Sequence, residues 1–232
     1  VMTMPENYKT SNKNEKMSFF HFNNIKVSGI VSTVPLQVYT EKQLFTDIEE
    51  QKVIEYLAQT GFQSVRKSVD LQTASDLGFE AATKLLEVKN IDRSQVGFIV
   101  FLTKTPDYRS PASAIVLQHR LGLPMDCVAY DVNLGSVGFV AGLQLGCSLL
   151  NGLNTSTGLI IIGDTNSKQT SMDCLDTMHL GDAATAILIE KEENAKPIKT
   201  KIFSQGSGYD ANIIAGGGFR TREERPNYEL SS

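Results

Sequence analysis

Apolar positions along the chain change their spacing several times, and each change predicts an element. Asn24 to Pro35, NIKVSGIVSTVP, alternates and is rich in β-branched residues, the pattern of a strand. EKQLFTDIEEQKVIEYLAQTG carries apolar residues at helical spacing and predicts a helix ending at Gly61. In the next helical stretch, ASDLGFEAATKLLEVKN, Thr73 is placed to cap with Asp76 three residues on, and Leu77, Ala81, Leu85 and Leu86 form one stripe. VGFIVFLTK is almost continuously apolar, as in a strand buried on both faces. A turn-rich loop, TPDYRSP, precedes a helix in ASAIVLQHRLGL, a strand in CVAYDVN and a helix in SVGFVAGLQLGCSLLNG. Three further strands follow in TGLIIIGDT, HLGDAATAILIEK and KPIKTKIFSQGSG, and then a glycine-rich turn and polar end, GGGFRTREERPNYELSS. This order predicts an α/β layout around a mostly parallel or mixed sheet.

The helix Ser136–Asn151 stands apart. Val137, Phe139, Val140, Ala141, Leu143, Leu145, Cys147, Leu149 and Leu150 leave only Gln144 and Ser148 clearly polar within it. A helix apolar all round is expected to be buried on every side. Gly138, Gly142 and Gly146 recur on one face, each costing about 1 kcal/mol relative to alanine, so close approach of another helix or sheet is expected there. The other strands supply one sheet, and covering both faces of this helix needs a second. The chain is therefore expected to be incomplete as a folding unit, or to complete itself with another chain.

Composition narrows this picture without changing it. With 232 residues, 41% hydrophobic and 21% charged, the chain suits one large globular domain or two small ones. A net charge of -4 gives no footprint for nucleic acid, and no stretch approaches the ~20 apolar residues that span a membrane. The start, residues 1–16, has no apolar h-region and reads as a flexible leader, with Met17 opening the first apolar segment. Three cysteines, Cys127, Cys147 and Cys174, without a Cys-x-x-Cys pair, favour a reduced cytosolic protein.

TG at 60–61, ASDLGFEAATKLL, TKTPDYRSPASAIVLQHRLGL, DVNLGSVGFVAGL, GDAATAILIE and GSGYDANIIAGGG together resemble the ketoacyl synthase III branch of the thiolase-like condensing enzymes. The resemblance implies a five-layered α-β-α-β-α fold of two similar halves around two central helices, with Ser136 beginning one of them. It assigns residues 17–218 to a thiolase-like N-terminal half and 219–232 to a polar segment leading toward a second half, which carries the family's catalytic His and Asn. Such enzymes condense an acyl primer with malonyl carrier protein. The implied partners are acyl carrier protein or acyl-CoA and a second synthase-type subunit, as homodimer or heterodimer through the sheet. No cofactor and no metal ion are expected.

In the family pattern the nucleophilic cysteine falls at Ser136. A helix N-terminus stabilises an anion by up to ~2 kcal/mol, about 1.5 pK units, enough to bring a thiol to neutrality. A serine hydroxyl stays protonated under the same shift and needs an adjacent general base. Ser136 therefore reads as an acyl acceptor or as a helix cap. His21 lies in the leader region, His119 falls on a polar helix face, and His179 leaves open a local triad with Asp182. Cys127 and Cys147 sit in apolar runs and are expected to pack, and Cys174 has no activating neighbour in sequence. The family's CoA clamp, a Trp and two Arg, falls at Glu55, Gln59 and Cys174, none of which matches. Three readings stay open: a condensing acyltransferase, a non-catalytic partner subunit, and a structural half-fold.

Overall fold

The computed structural model describes residues 19–45, 48–135, 137–169, 179–204, 206–209, 213–214 and 220. The leader 1–16, Ser136 and Cys174 lie outside them.

The strands are β1 (Phe20–Phe22), β2 (Ile25–Thr33), β3 (Val38–Thr40), β4 (Ser64–Arg66), β5 (Val96–Leu102), β6 (Val128–Val132), β7 (Thr157–Asp164), β8 (Ala183–Lys191) and β9 (Ile198–Thr200). The helices are α1 (Glu41–Leu44), α2 (Glu50–Thr60), α3 (Ala74–Val88), α4 (Ser113–Arg120) and α5 (Gly138–Gly152). Five strands form the central sheet in the order β2-β8-β7-β5-β6. β5 runs parallel to β6 and β7, while β8 runs antiparallel to β7 and β2, so the sheet is mixed.

Alternation along β5 divides the core. Ile99 and Phe101 join Leu85, Leu86, Ala114 and Leu117 on the face covered by α3 and α4. Phe98, Val100 and Leu102 join Cys147, Leu150 and Ile160 on the face covered by α5. Every residue of β5 except Gly97 is buried, as a strand covered on both faces requires.

α3 begins where its sequence places it. The Thr73 hydroxyl accepts from the Asp76 N–H, and the Asp76 carboxylate accepts from the Thr73 N–H, a reciprocal capping box. α2 stops at Gly61, whose φ of 74° suits a residue without Cβ. The single helix expected over residues 41–61 comes instead as α1 and α2. Phe45 leaves the helical region at φ -115°, ψ 49°, buries its ring, and stacks edge-on against Tyr56.

The glycine face of α5 lies on the sheet. A Cβ at Gly142 would stand 2.8 Å from Leu102 Cδ1 and 2.9 Å from Ile160 Cγ2, and one at Gly146 would stand 2.7 Å from Ile160 Cδ1. The other face differs from the all-round burial expected. Phe139 is 49% and Val140 42% exposed, and Leu143, Leu145 and Leu149 are half-buried. Among the described residues one layer covers α5, not two.

Candidate active site

The strands β5, β6 and β7 run in one direction and end together. In open α/β sheets such carboxyl ends form the crevice where ligands bind. Here they deliver Thr103, Lys104 and Thr105 after β5, Asn133, Leu134 and Gly135 after β6, and Asp164 and Thr165 at the end of β7.

Three aspartates tie this end of the molecule together. Asp164 Oδ1 accepts the Lys104 N–H at 2.6 Å and the Thr103 hydroxyl at 3.0 Å, while Thr105 Oγ1 accepts the Thr165 N–H at 2.9 Å. Asp131 accepts the N–H groups of Ser113 and Ala114 at 2.6 and 2.7 Å, so a strand residue caps α4, whose own cap position, Ala112, has no hydroxyl. Asp182 accepts from Ser68 N–H at 2.7 Å, Ser167 N–H at 2.9 Å and Ser167 Oγ at 2.6 Å. Each carboxylate accepts at least two hydrogen bonds from N–H or O–H donors, the arrangement that keeps a partly buried carboxylate tolerable. A cavity of about 280 Å³ opens beside the ends of β5 and β6, lined in part by Thr103, Tyr108, Arg109, Asp131 and Asn133.

The junction between β6 and α5 turns tightly: the Gly138 N–H donates to Gly135 O at 2.8 Å. The capping position of α5 is Val137, which supplies no side-chain bond to the first turn. A 15-residue helix thus directs its partially positive end toward the strand termini. Ser136, between Gly135 and Val137 in sequence, lies outside the described residues.

The histidines lie elsewhere. His21 is on β1, paired with Lys199 of β9, rather than in a leader. His119 is exposed near the end of α4. The His179 ring packs edge-on between Tyr56 and Phe62, with centroids at 5.3 and 4.9 Å, while Asp182 is engaged by Ser68 and Ser167. The His179–Asp182 leg of a triad is therefore not assembled. Among the described residues no group of histidine, cysteine and acidic side chains could hold a metal ion.

Glu55 and Gln59 are both exposed on α2, and Glu55 accepts from Gln51 at 3.0 Å; Cys174 lies outside the described residues. Cys127 and Cys147 are buried, and burial pushes each thiol up to about 11, which leaves them as packing groups. Lys67 is a buried cation that the sequence did not single out. Burial lowers its pKa, outweighing the attraction of Asp182, and its amine lies 5.8 Å from the centre of the Tyr39 ring. Lys104 and Asp164 were also missed. Their only sequence signal is position, at or just after the end of an apolar strand.

Residues 130–206 match the family model of 3-oxoacyl-[acyl-carrier-protein] synthase III. The chain is 30% identical over 196 residues to a beta-ketoacyl-[acyl-carrier-protein] synthase III of Rhizorhabdus wittichii, covering 82% of this chain and 60% of that protein. It is 32% identical over 189 residues to the corresponding synthase of Clostridium perfringens, covering 77% and 57%. The crystal structure of a 3-oxoacyl-(acyl-carrier protein) synthase from Burkholderia xenovorans superposes with a TM-score of 0.83 at 29% identity, over 88% of this chain and 58% of that one. The chain thus spans a little over half the length of the relatives it matches. By sequence and by fold, the chain is similar to beta-ketoacyl-[acyl-carrier-protein] synthases III over the stretch that it matches.

Proposed function

We propose that this chain is the N-terminal part of a synthase III-type acyltransferase and that Ser136 is its acyl acceptor. The observation that carries this reading is the end of β6: a tight turn at Gly135 feeding an α5 N-terminus whose capping position, Val137, supplies no side-chain bond, within the segment that matches the synthase III model. In the proposed step an acyl thioester, delivered by acyl carrier protein or acyl-CoA, is attacked at its carbonyl carbon. The Ser136 O–H bond breaks as the O–C bond forms, a general base takes the proton, and the C–S bond breaks to release a thiolate, which takes that proton back from the base to leave as the thiol. Backbone N–H groups at the start of α5 would face the developing oxyanion. In the parent family the second half supplies the base, and condensation with malonyl carrier protein follows. Residues 17–218 are accordingly assigned to the thiolase-like half and 219–232 to the approach to a second half. A cytosolic dimer, joined through the sheet, belongs to the same proposal.

A second reading is favoured by Glu55. An exposed carboxylate where the family stacks and pairs its CoA repels phosphate, which suits a non-catalytic subunit beside an active synthase. Intact-mass spectrometry after incubation with an acyl carrier protein thioester separates the two. The acyltransferase reading expects an acyl adduct on the parent chain that is absent from Ser136→Ala. No adduct, with or without an added synthase subunit, would leave the partner reading in its place.

A further inference from the structure

Lys104 is fixed at its backbone N–H and packed along its stem, while its head has no partner among the described residues. Its N–H is fixed by Asp164 at 2.6 Å. Its stem lies along Gly135: a Cβ there would stand 2.8 Å from Lys104 Cδ, 3.2 Å from Cε and 3.5 Å from Cγ. Any larger residue at 135 would displace the lysine, so the glycine and the lysine occupy this place as a pair. The side chain is half-buried, and among the described residues its amine has no hydrogen-bond or ion-pair partner. Neither carboxylate at the neighbouring strand ends pairs with that amine: Asp164 binds the β5 loop through Oδ1, and Asp131 binds the amides of α4. The N-terminus of α5 adds positive potential from the same turn. A pinned, un-neutralised cation at the carboxyl ends of parallel strands calls for an anion from outside the chain.

We infer that Lys104 contacts substrate and binds the carboxylate of a malonyl-type unit. This rests on the acyl-transfer reading above and adds the charge of the substrate to it. The carboxylate lies one carbon from its thioester, so it reaches a lysine packed against Gly135, the neighbour of Ser136 in sequence, whereas the phosphate of a phosphopantetheine arm lies at the far end of that arm. Lysine presents a compact charge on a flexible stem, which suits that anion. A neutral acyl thioester gains nothing from it.

The test is equilibrium binding of three probes to the full chain: malonyl-pantetheine, acetyl-phosphopantetheine and acetyl-pantetheine. Lys104→Met keeps a stem against Gly135 and removes the charge, and Lys104→Arg restores charge. Loss of one charge-assisted contact predicts about tenfold weaker binding of malonyl-pantetheine to Lys104→Met, recovered in Lys104→Arg, with acetyl-phosphopantetheine and acetyl-pantetheine unaffected. A loss confined to acetyl-phosphopantetheine would overturn the inference. Equal affinity of all three probes for parent and Lys104→Met would overturn the inference while leaving the acyl-transfer reading intact. Failure of the parent chain to bind any of the three would overturn both.

Discussion

The helices α3 and α5 have the same length and pack on opposite faces of one sheet, yet their outward surfaces are opposites. α3 buries Leu77, Ala81, Ala82, Leu85 and Leu86 and turns Glu80, Lys84 and Glu87 to solvent. α5 buries Gly142, Gly146, Cys147 and Leu150 and turns outward Phe139, Val140 and Leu143. Inner faces are alike because both meet the same kind of surface, the β-branched and aromatic residues of β5, β7 and β8. Outer faces differ because that of α3 is polar and suits water, while that of α5 is apolar and exposed. The side a helix leaves uncovered is thus as telling as the side it buries.

The inner faces carry the largest expected effects. Leu85→Ala on α3 and Leu150→Ala on α5 each empty a fully buried site, and each is expected to cost about 2–5 kcal/mol in urea unfolding. A cost near zero at Leu150 alone would mean that α5 is not docked as α3 is. An intermediate effect is expected at the α3 cap. Thr73→Ala removes the hydroxyl that Asp76 N–H uses and should cost about 1 kcal/mol. Burial alone would raise the Asp76 pKa. The N–H of Thr73 and the Arg120 guanidinium, 2.7 Å away, outweigh it and hold the carboxyl below its usual value. A depressed carboxylate stabilises the fold above its unfolded pKa of about 3.9 and loses that contribution as pH falls through the folded value. Half-exposed, this pair is worth under about 1 kcal/mol, so the parent chain should lose slightly more stability between pH 6 and pH 3 than Asp76→Asn does. The smallest effect is expected outside. Phe139→Ser should leave unfolding within about 0.5 kcal/mol of the parent, as Glu80→Ser should. A loss above about 2 kcal/mol at Phe139 would show that a further layer covers the outer face of α5 in the species that unfolds, and would sharpen the contrast between the helices.

What the sequence made legible was local. The Thr73 box, the Gly61 stop and the continuous run of β5 are each decided within a few residues, and each stands where the pattern puts it. The glycine repeat of α5 announced a close approach but not its partners. Those are Leu102, Ile160, Ile162 and Ile189, contributed by three different strands. Of the ribbons β1–β9 and β3–β4, only β9 falls within a predicted strand; β1, β3 and β4 escaped because strands of three residues carry too little alternation to read, and each pairs with a distant segment. The same holds at the site. A strand, a small-residue turn and a helix mark the Ser136 junction from sequence alone. The contact of Lys104 with Gly135 and the reach of Asp164 to the β5 loop join segments 31 and 60 residues apart, which no local pattern encodes.

Asp131 has one more consequence, a mechanical one. Its carboxylate grips the first two amides of α4, and its backbone is part of β6, so helix and strand form a single lever. The loop 106–112 is strung between that lever and β5, which Asp164 clamps in turn. The two ends of the loop are thus anchored to the same sheet. Asp131→Ala would cut one of these ties and is expected to loosen α4 from β6.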